Sequence, residues 1–204
     1  MAGVRKARKQ ATRERVLAAA RDLFDEIGFE SSTIRLIAER AGVAVGSVFT
    51  TFESKSEILS HVMLDRLDSL YAELDSVLPH LRGPCPDRLR SVMAIHYGFE
   101  MRRPRLFAAY VACSFEWSKP KDVIAFGQNA QLKGMLRGVL EGGIVNGEVS
   151  EDADLELFID TLLAAYGFNY RLAADKGYDA GQLTKLMDRQ IGLLFDGVRP
   201  QSLS

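Results

Sequence analysis

Few residues in this 204-residue chain have the type and spacing for catalysis. The three histidines, His61, His80 and His96, do not pair with Cys, Asp or Glu at a recognised metal-ligand spacing. No serine lies in a nucleophile-elbow context, and no Gly-rich loop follows a strand. Asp152, Asp154 and Glu156 read as acidic residues favouring a helix N-terminus, not as a metal site. The reading is therefore a non-enzyme with no metal and no cofactor. The informative cluster is Val45 to Phe52, VGSVFTTF. On a helix it buries Val48 and Phe52, four apart, and turns Gly46, Ser47, Thr50 and Thr51 outward. That outer face is small, uncharged and able to hydrogen-bond. Ser and Thr hydroxyls can contact more than one base edge, and a Thr methyl can meet a thymine methyl, so the chemistry is that of a major-groove surface.

The surrounding elements have to hold that face. Thr33 to about Ala41 reads as a first short helix, with Ile34, Ile37, Ala38 and Ala41 at i, i+3, i+4 and i+7. Thr33 suits its N-cap, and Gly42 suits the turn that follows, where a left-handed conformation is needed. Val45 to about Phe52 is the second helix. Together they have the form of a helix-turn-helix whose second helix enters the major groove.

Charge is distributed unevenly. The formal net charge is −1, but residues 1–60 hold 10 Lys/Arg against 8 Asp/Glu, and residues 61–204 hold 16 against 19. Arg5, Lys6, Arg8, Lys9, Arg13 and Arg15 crowd the N-terminus beside a single acidic residue, Glu14. Cys85 and Cys113 are too few for a disulfide framework and read as free thiols in a reducing cytoplasm. No apolar run reaches the ~18 residues of a membrane span.

Nearly all the chain reads as helix, and no position asks for a strand. Residues 1–9 are expected to form a disordered basic arm, either a solvated tail or an arm lying on phosphates. A helix from about Gln10 to Ile27 carries Val16, Leu17, Ala20, Leu23, Phe24 and Ile27 as one stripe and stops at Gly28. Ser54 with Glu57 forms a capping box that starts a long linking helix to about Leu78. Further helices are expected over Asp87–Arg103, Pro104–Ser118 and Pro120–Glu141, with GGIVNGEVS as a loop. Gly134, Gly138 and Gly142 recur every four residues, which either serves a close helix crossing or marks a weak, bent helix. The last two helices, about Ala153–Ala174 and Asp179–Asp196, spread their apolar residues over half the circumference. One packed surface needs a stripe of only about 100°. The excess either meets a partner subunit or reflects a central place in a monomer.

The run from Thr12 to Leu59 closely resembles the N-terminal domain of the TetR family of bacterial transcriptional regulators. The residues that carry the resemblance are LFDEIGFESST at the end of the first helix, IAERAGVAVGSVF in the helix-turn-helix, and F-x-SK-x-E-x-L leading into the linking helix. The resemblance implies an all-α homodimer of about nine helices, with a DNA-binding domain over residues 1–53 and a ligand-binding and dimerisation domain over 54–204. It implies a double-stranded operator of pseudo-palindromic sequence, usually repression, and release by a small molecule whose identity is unknown. The homodimer would form through the last two helices.

On this resemblance Thr33, Gly46, Ser47 and Thr50 match positions that touch bases or phosphates, and Lys55 matches a phosphate-binding lysine. Val45 stays open: its helical angle is near the buried stripe, while the matching position is often a polar reader. Phe49 stands where the family often has tyrosine, so a hydroxyl–phosphate bond is lost, although the ring can pack on a sugar or a thymine methyl. Glu53 repels phosphate. For the small molecule, Phe107, Tyr110, Ser114 and Trp117 share one helix stripe, and Tyr97, Met101, Phe126, Tyr166, Asn169 and Tyr170 lie on neighbouring helices. They either line a mostly apolar pocket or simply pack as core.

Overall fold

The computed structural model describes residues 2–114 and 129–200. Nine α-helices and one 3-10 turn appear among the described residues, with no strand. They are α1 (Ala2–Glu26), α2 (Ile34–Arg40), α3 (Val45–Phe49), α4 (Lys55–Val77), the turn Leu78–His80, α5 (Cys85–Glu100), α6 (Pro104–Ser114), α7 (Ala130–Val145), α8 (Leu155–Lys176) and α9 (Ala180–Asp196). The expected start of α7 at Pro120 and end of α6 at Ser118 lie outside the described residues.

The chain folds as two compact units. The first takes residues 1–67 and 105–124, the second 68–104 and 125–204. The expected boundary at 53/54 differs from this division because α4 is unbroken, with its first half in one unit and its second half in the other. Its start is built by Ser54, whose Oγ accepts from the Glu57 N–H at 3.0 Å. The Glu57 carboxylate accepts from the N–H of Glu53, one residue before the reciprocal bond of a standard capping box.

In the first unit α1, α2 and α3 pack on one another. Val16, Ala20, Leu23, Phe24, Ile37, Ala38, Val48 and Phe52 are buried. Phe29 enters this core edge-on to Phe24, with ring centroids 5.4 Å apart. Gly28 takes φ +82° and Gly42 φ +63°, so each chain reversal falls on the residue that bears it without steric cost. The disordered arm expected over residues 1–9 is instead a continuation of α1 from Ala2. Its Ala, Arg, Lys and Gln residues are good helix formers. A Gln10–Glu14 side-chain bond of 2.9 Å spans one turn there.

In the second unit α5 packs on α7 and α9, and α8 packs on α7 and α9, so the four close a ring around one core. Leu183, Met187, Ile191 and Phe195 of α9 are buried at a strict four-residue spacing. Helix α7 runs to Val145, past the loop expected from Gly142, because its last turn is clamped by packing. An added Cβ on Gly143 would lie 2.8 Å from Val149 Cγ2 and 2.9 Å from Cys85 Sγ. Gly134 and Gly138 instead face open space, so the expected close crossing along the glycine repeat is absent at these two positions. An added Cβ on Gly142 would lie 3.2 Å from Arg88 Nη1, and the tightest approach occurs at Gly143, one residue off that stripe. Cys85 and Cys113 are both buried thiols outside any disulfide.

Candidate nucleic-acid interface and effector region

Helix α3 is held by its inner side. Val48 is fully buried and Phe52, just past the helix, is 2% exposed. The flank beside it faces outward: Val45 is 40% exposed and Phe49 55% exposed. Val45 therefore leaves the buried stripe suggested by its helical angle, because α3 is only five residues long and its first turn projects beyond the core. Gly46 has nothing within 4 Å of where a Cβ would be, so the backbone itself is open at that point. Thr50 and Thr51 both donate their hydroxyl protons to the Ser47 carbonyl, each at 2.9 Å. Thr50 is left with lone pairs and a methyl to present outward.

Helix α2 presents Thr33 at its N-cap, where Oγ1 accepts from the Leu36 N–H at 3.2 Å. The hydroxyl proton of Thr33 remains available to an acceptor such as a phosphate oxygen. Leu36, a position the sequence reading left unplaced, is 39% exposed.

Three of the neighbouring cations are engaged. Arg40 makes two bonds of 2.9 Å to the Glu26 carboxylate. That pairing lowers the Glu26 pKa and raises the Arg40 pKa, the direct hydrogen bond being the main cause of each shift. The Arg13 guanidinium lies 4.9 Å from the centroid of the Phe52 ring. Lys55, expected on phosphate, donates from Nζ to the Phe29 carbonyl at 2.8 Å and to the Glu30 carbonyl at 3.4 Å, with Nζ 4.2 Å from the Phe29 ring centroid. The chain reverses after Gly28, and the carbonyls there need a donor that the lysine supplies. Lys6, Arg8, Lys9 and Arg15 on α1 and Arg35 on α2 are exposed.

Residues 16–62 match the profile described as "Bacterial regulatory proteins, tetR family". That segment carries the DNA-binding domain of this family. It is 27% identical over 149 residues to the HTH-type transcriptional repressor KstR2 of Mycolicibacterium smegmatis, covering 71% of each chain. It is 24% identical over 193 residues to the fatty acid metabolism regulator protein of Bacillus subtilis, covering 90% of this chain and 93% of the other. Its fold is that of Thermus thermophilus FadR, a TetR-family transcriptional repressor solved with lauroyl-CoA, at a TM-score of 0.73 and 24% identity over 94% of this chain and 98% of that one.

The residues expected to meet a small molecule fall into separate groups. Trp117 and Phe126 lie outside the described residues, as does the side chain of Ser114. Phe107 and Tyr110 belong to the first unit, buried, with ring centroids 6.1 Å apart. Tyr97, Tyr166, Asn169 and Tyr170 belong to the second, each at most 2% exposed, while Met101 is half-buried at the end of α5.

This second group is bonded to itself. The Asn169 amide donates to the Tyr97 hydroxyl at 3.0 Å and to Gln190 Oε1 at 2.7 Å, and it accepts from Gln190 Nε2 at 3.2 Å. Tyr166 and Tyr170 share a hydroxyl–hydroxyl bond of 2.9 Å. His96 Nδ1 lies 3.4 Å from the Tyr166 hydroxyl, and His96 Nε2 is buried with no hydrogen-bond partner. Burial drives the His96 pKa down to about 3, so the ring is neutral at ordinary pH. Burial likewise pushes the phenols of Tyr97, Tyr166 and Tyr170 well up. His96 and Gln190 are absent from the sequence reading of the site. Nothing local marks either, since each acquires its partners from another helix.

A groove of about 570 Å³ opens elsewhere in the second unit. Leu78, Leu81, Met135 and Val139 give it apolar walls, Gly134 and Gly138 give it room, and Arg88 and Asp75 give it polar edges. The Arg88 guanidinium is mostly buried, and its ion pair to Glu148 is long, at 3.8 Å.

Proposed function

We propose that the chain is a homodimeric repressor that leaves a pseudo-palindromic operator when a small molecule enters its second unit. The observation that carries this reading is the two-sided α3, with Val48 anchored in the core and Val45, Gly46, Ser47, Phe49 and Thr50 left for DNA. A helix-turn-helix dimer reads two half-sites about 34–36 Å apart, or a multiple of that. Residues 1–53 supply the DNA contacts, with Thr33 giving a hydrogen bond to phosphate, and residues 54–204 supply dimerisation and effector binding. Lys55 secures the Phe29–Glu30 turn and has one N–H left for phosphate.

The dimer forms through the last two helices. Leu157 and Phe168 of α8 and Leu193 of α9 are 63%, 61% and 77% exposed, an apolar surface that the monomer core leaves open. The small molecule enters beside Gly134 and Gly138 or displaces the packing around Tyr97 and Tyr166. Either event can bias α4, which belongs to both units. Release requires the effector to favour the non-binding arrangement, as any population shift does. The chain acts in the cytoplasm, where its DNA is, and carries no catalytic step.

The test is a shift assay with the duplex from the chain's own upstream promoter. Specific binding that weakens steeply with salt is expected, because phosphate neutralisation releases counterions. Binding indifferent to sequence would overturn the reading, as would an inducer with equal affinity for free and operator-bound protein.

A further inference from the structure

Base readout by hydrogen bonds depends on a short set of side chains. Arg or Lys pairs with guanine, and Asn or Gln pairs with adenine, each through two bonds in the major groove. None of these residues occurs between Ala41 and Phe52. The two cations nearest this stretch in the chain are already bonded: Arg40 twice to Glu26, and Lys55 to the carbonyls of Phe29 and Glu30. The Thr50 and Thr51 hydroxyl protons are spent on the Ser47 carbonyl.

What α3 does offer is carbon. Val45 and Phe49 are four residues apart, hence one turn apart on one face, and both are exposed. Gly46 lies beside them with open space in place of a side chain, which leaves the helix room to approach base edges. The apolar feature that a base presents in the major groove is the C5-methyl of thymine. Side chains one turn apart have Cβ atoms about 5–6 Å apart. Base pairs step by about 3.4 Å, so that spacing fits thymines one to two steps apart.

We propose that this regulator reads each half-site chiefly through thymine methyl groups, met by the exposed Val45 and Phe49, in place of two-bond pairing to guanine or adenine. This rests on the DNA-binding reading above and specifies the chemistry of the operator. Contacts of this kind are lost when the methyl is removed and the base pairing is kept, which is the difference between thymine and uracil.

The experiment selects binding duplexes with the full-length protein from a randomised library, made once with thymidine and once with deoxyuridine. The thymidine library is expected to enrich half-sites with closely spaced thymines at one conserved place. Uracil in those places should weaken binding about tenfold over a two-half-site operator, the effect of a few buried methyl groups. Val45→Ala and Phe49→Ala should bind thymine and uracil duplexes within about twofold of each other, and circular dichroism should show both variants folded, since both side chains are exposed. An enriched duplex indifferent to uracil overturns this inference alone. Retained thymine preference in the doubly substituted Val45→Ala, Phe49→Ala protein also overturns it. No enriched duplex from either library overturns the DNA-binding reading and this inference together.

Discussion

The helix-turn-helix and the tyrosine cluster of the second unit use polar chemistry in opposite ways. Around α3 the hydrogen-bonding and apolar groups that matter face outward, and two buried anchors, Val48 and Phe52, hold them. Around Tyr97, Tyr166 and Asn169 the polar groups face inward and bond to one another. A surface group can be altered with little effect on folding. A buried polar group carries its partners with it, since each one left unpaired costs its desolvation.

Four measurements would break or sharpen that contrast. The largest effect is expected from Asn169→Leu, which strips partners from Tyr97 and Gln190 and should destabilise the protein by about 2–4 kcal/mol in urea unfolding. Phe49→Ala in the same assay should stay within about 0.5 kcal/mol of the native chain while weakening DNA binding. If both variants unfold alike, the contrast fails.

Acid is the second probe. The folded-state pKa of His96 lies near 3, below its ordinary 6.5, so between these values the unfolded chain binds a proton that the folded chain refuses. The His96 contribution is therefore fully present above pH 6.5 and is lost as pH falls toward 3, at about 1.4 kcal/mol per unit at most. His96→Phe should flatten this part of the stability profile. An unchanged slope would mean that the ring takes up a proton within the fold.

The third probe separates two glycines of one helix. Gly143→Ala should cost about 1–3 kcal/mol, because its methyl would meet Val149 and Cys85. Gly138→Ala should gain about 0.5–1 kcal/mol, because its side is open. Similar thermal shifts for the two would contradict the packing described for α7. A small loss is expected for Thr33→Ala, about 1 kcal/mol or less, from the removed bond to the Leu36 N–H. Its readout is the melting of the native and substituted chains side by side.

The first unit was the more legible in the sequence because its signals are local. The Thr33 cap, the turn at Gly42 and the Val48–Phe52 pair each depend on residues within one or two turns. Two features there escaped for a different reason. Val45 was ambiguous because a helical angle assumes a helix long enough to have a fully covered side, and α3 is not. The second role of Lys55, holding the carbonyls of Phe29 and Glu30, has no local signal because those partners are about 25 residues away in the chain.

The second unit was legible as helices but not as contacts. The periodicity of α8 and α9 pointed to two apolar surfaces on each helix. It did not say that Leu157, Phe168 and Leu193 would be the exposed residues. The glycine repeat was visible as a pattern, yet of its members only Gly142 is closely approached, by Arg88, and the tightest approach belongs to Gly143, one residue away.

By itself the sequence determined the helical class, the helix-turn-helix and its outward face, because spacing along a helix decides which residues share a side. Only the tertiary structure decided that Arg40 and Lys55 are occupied, that Asn169 closes a network with Tyr97 and Gln190, and that α1 reaches back to Ala2. The first two of these rest on atoms brought together from distant parts of the chain, where burial and pairing are set by neighbours that no local pattern names. The third rests on helix propensity that the basic composition of the segment had obscured.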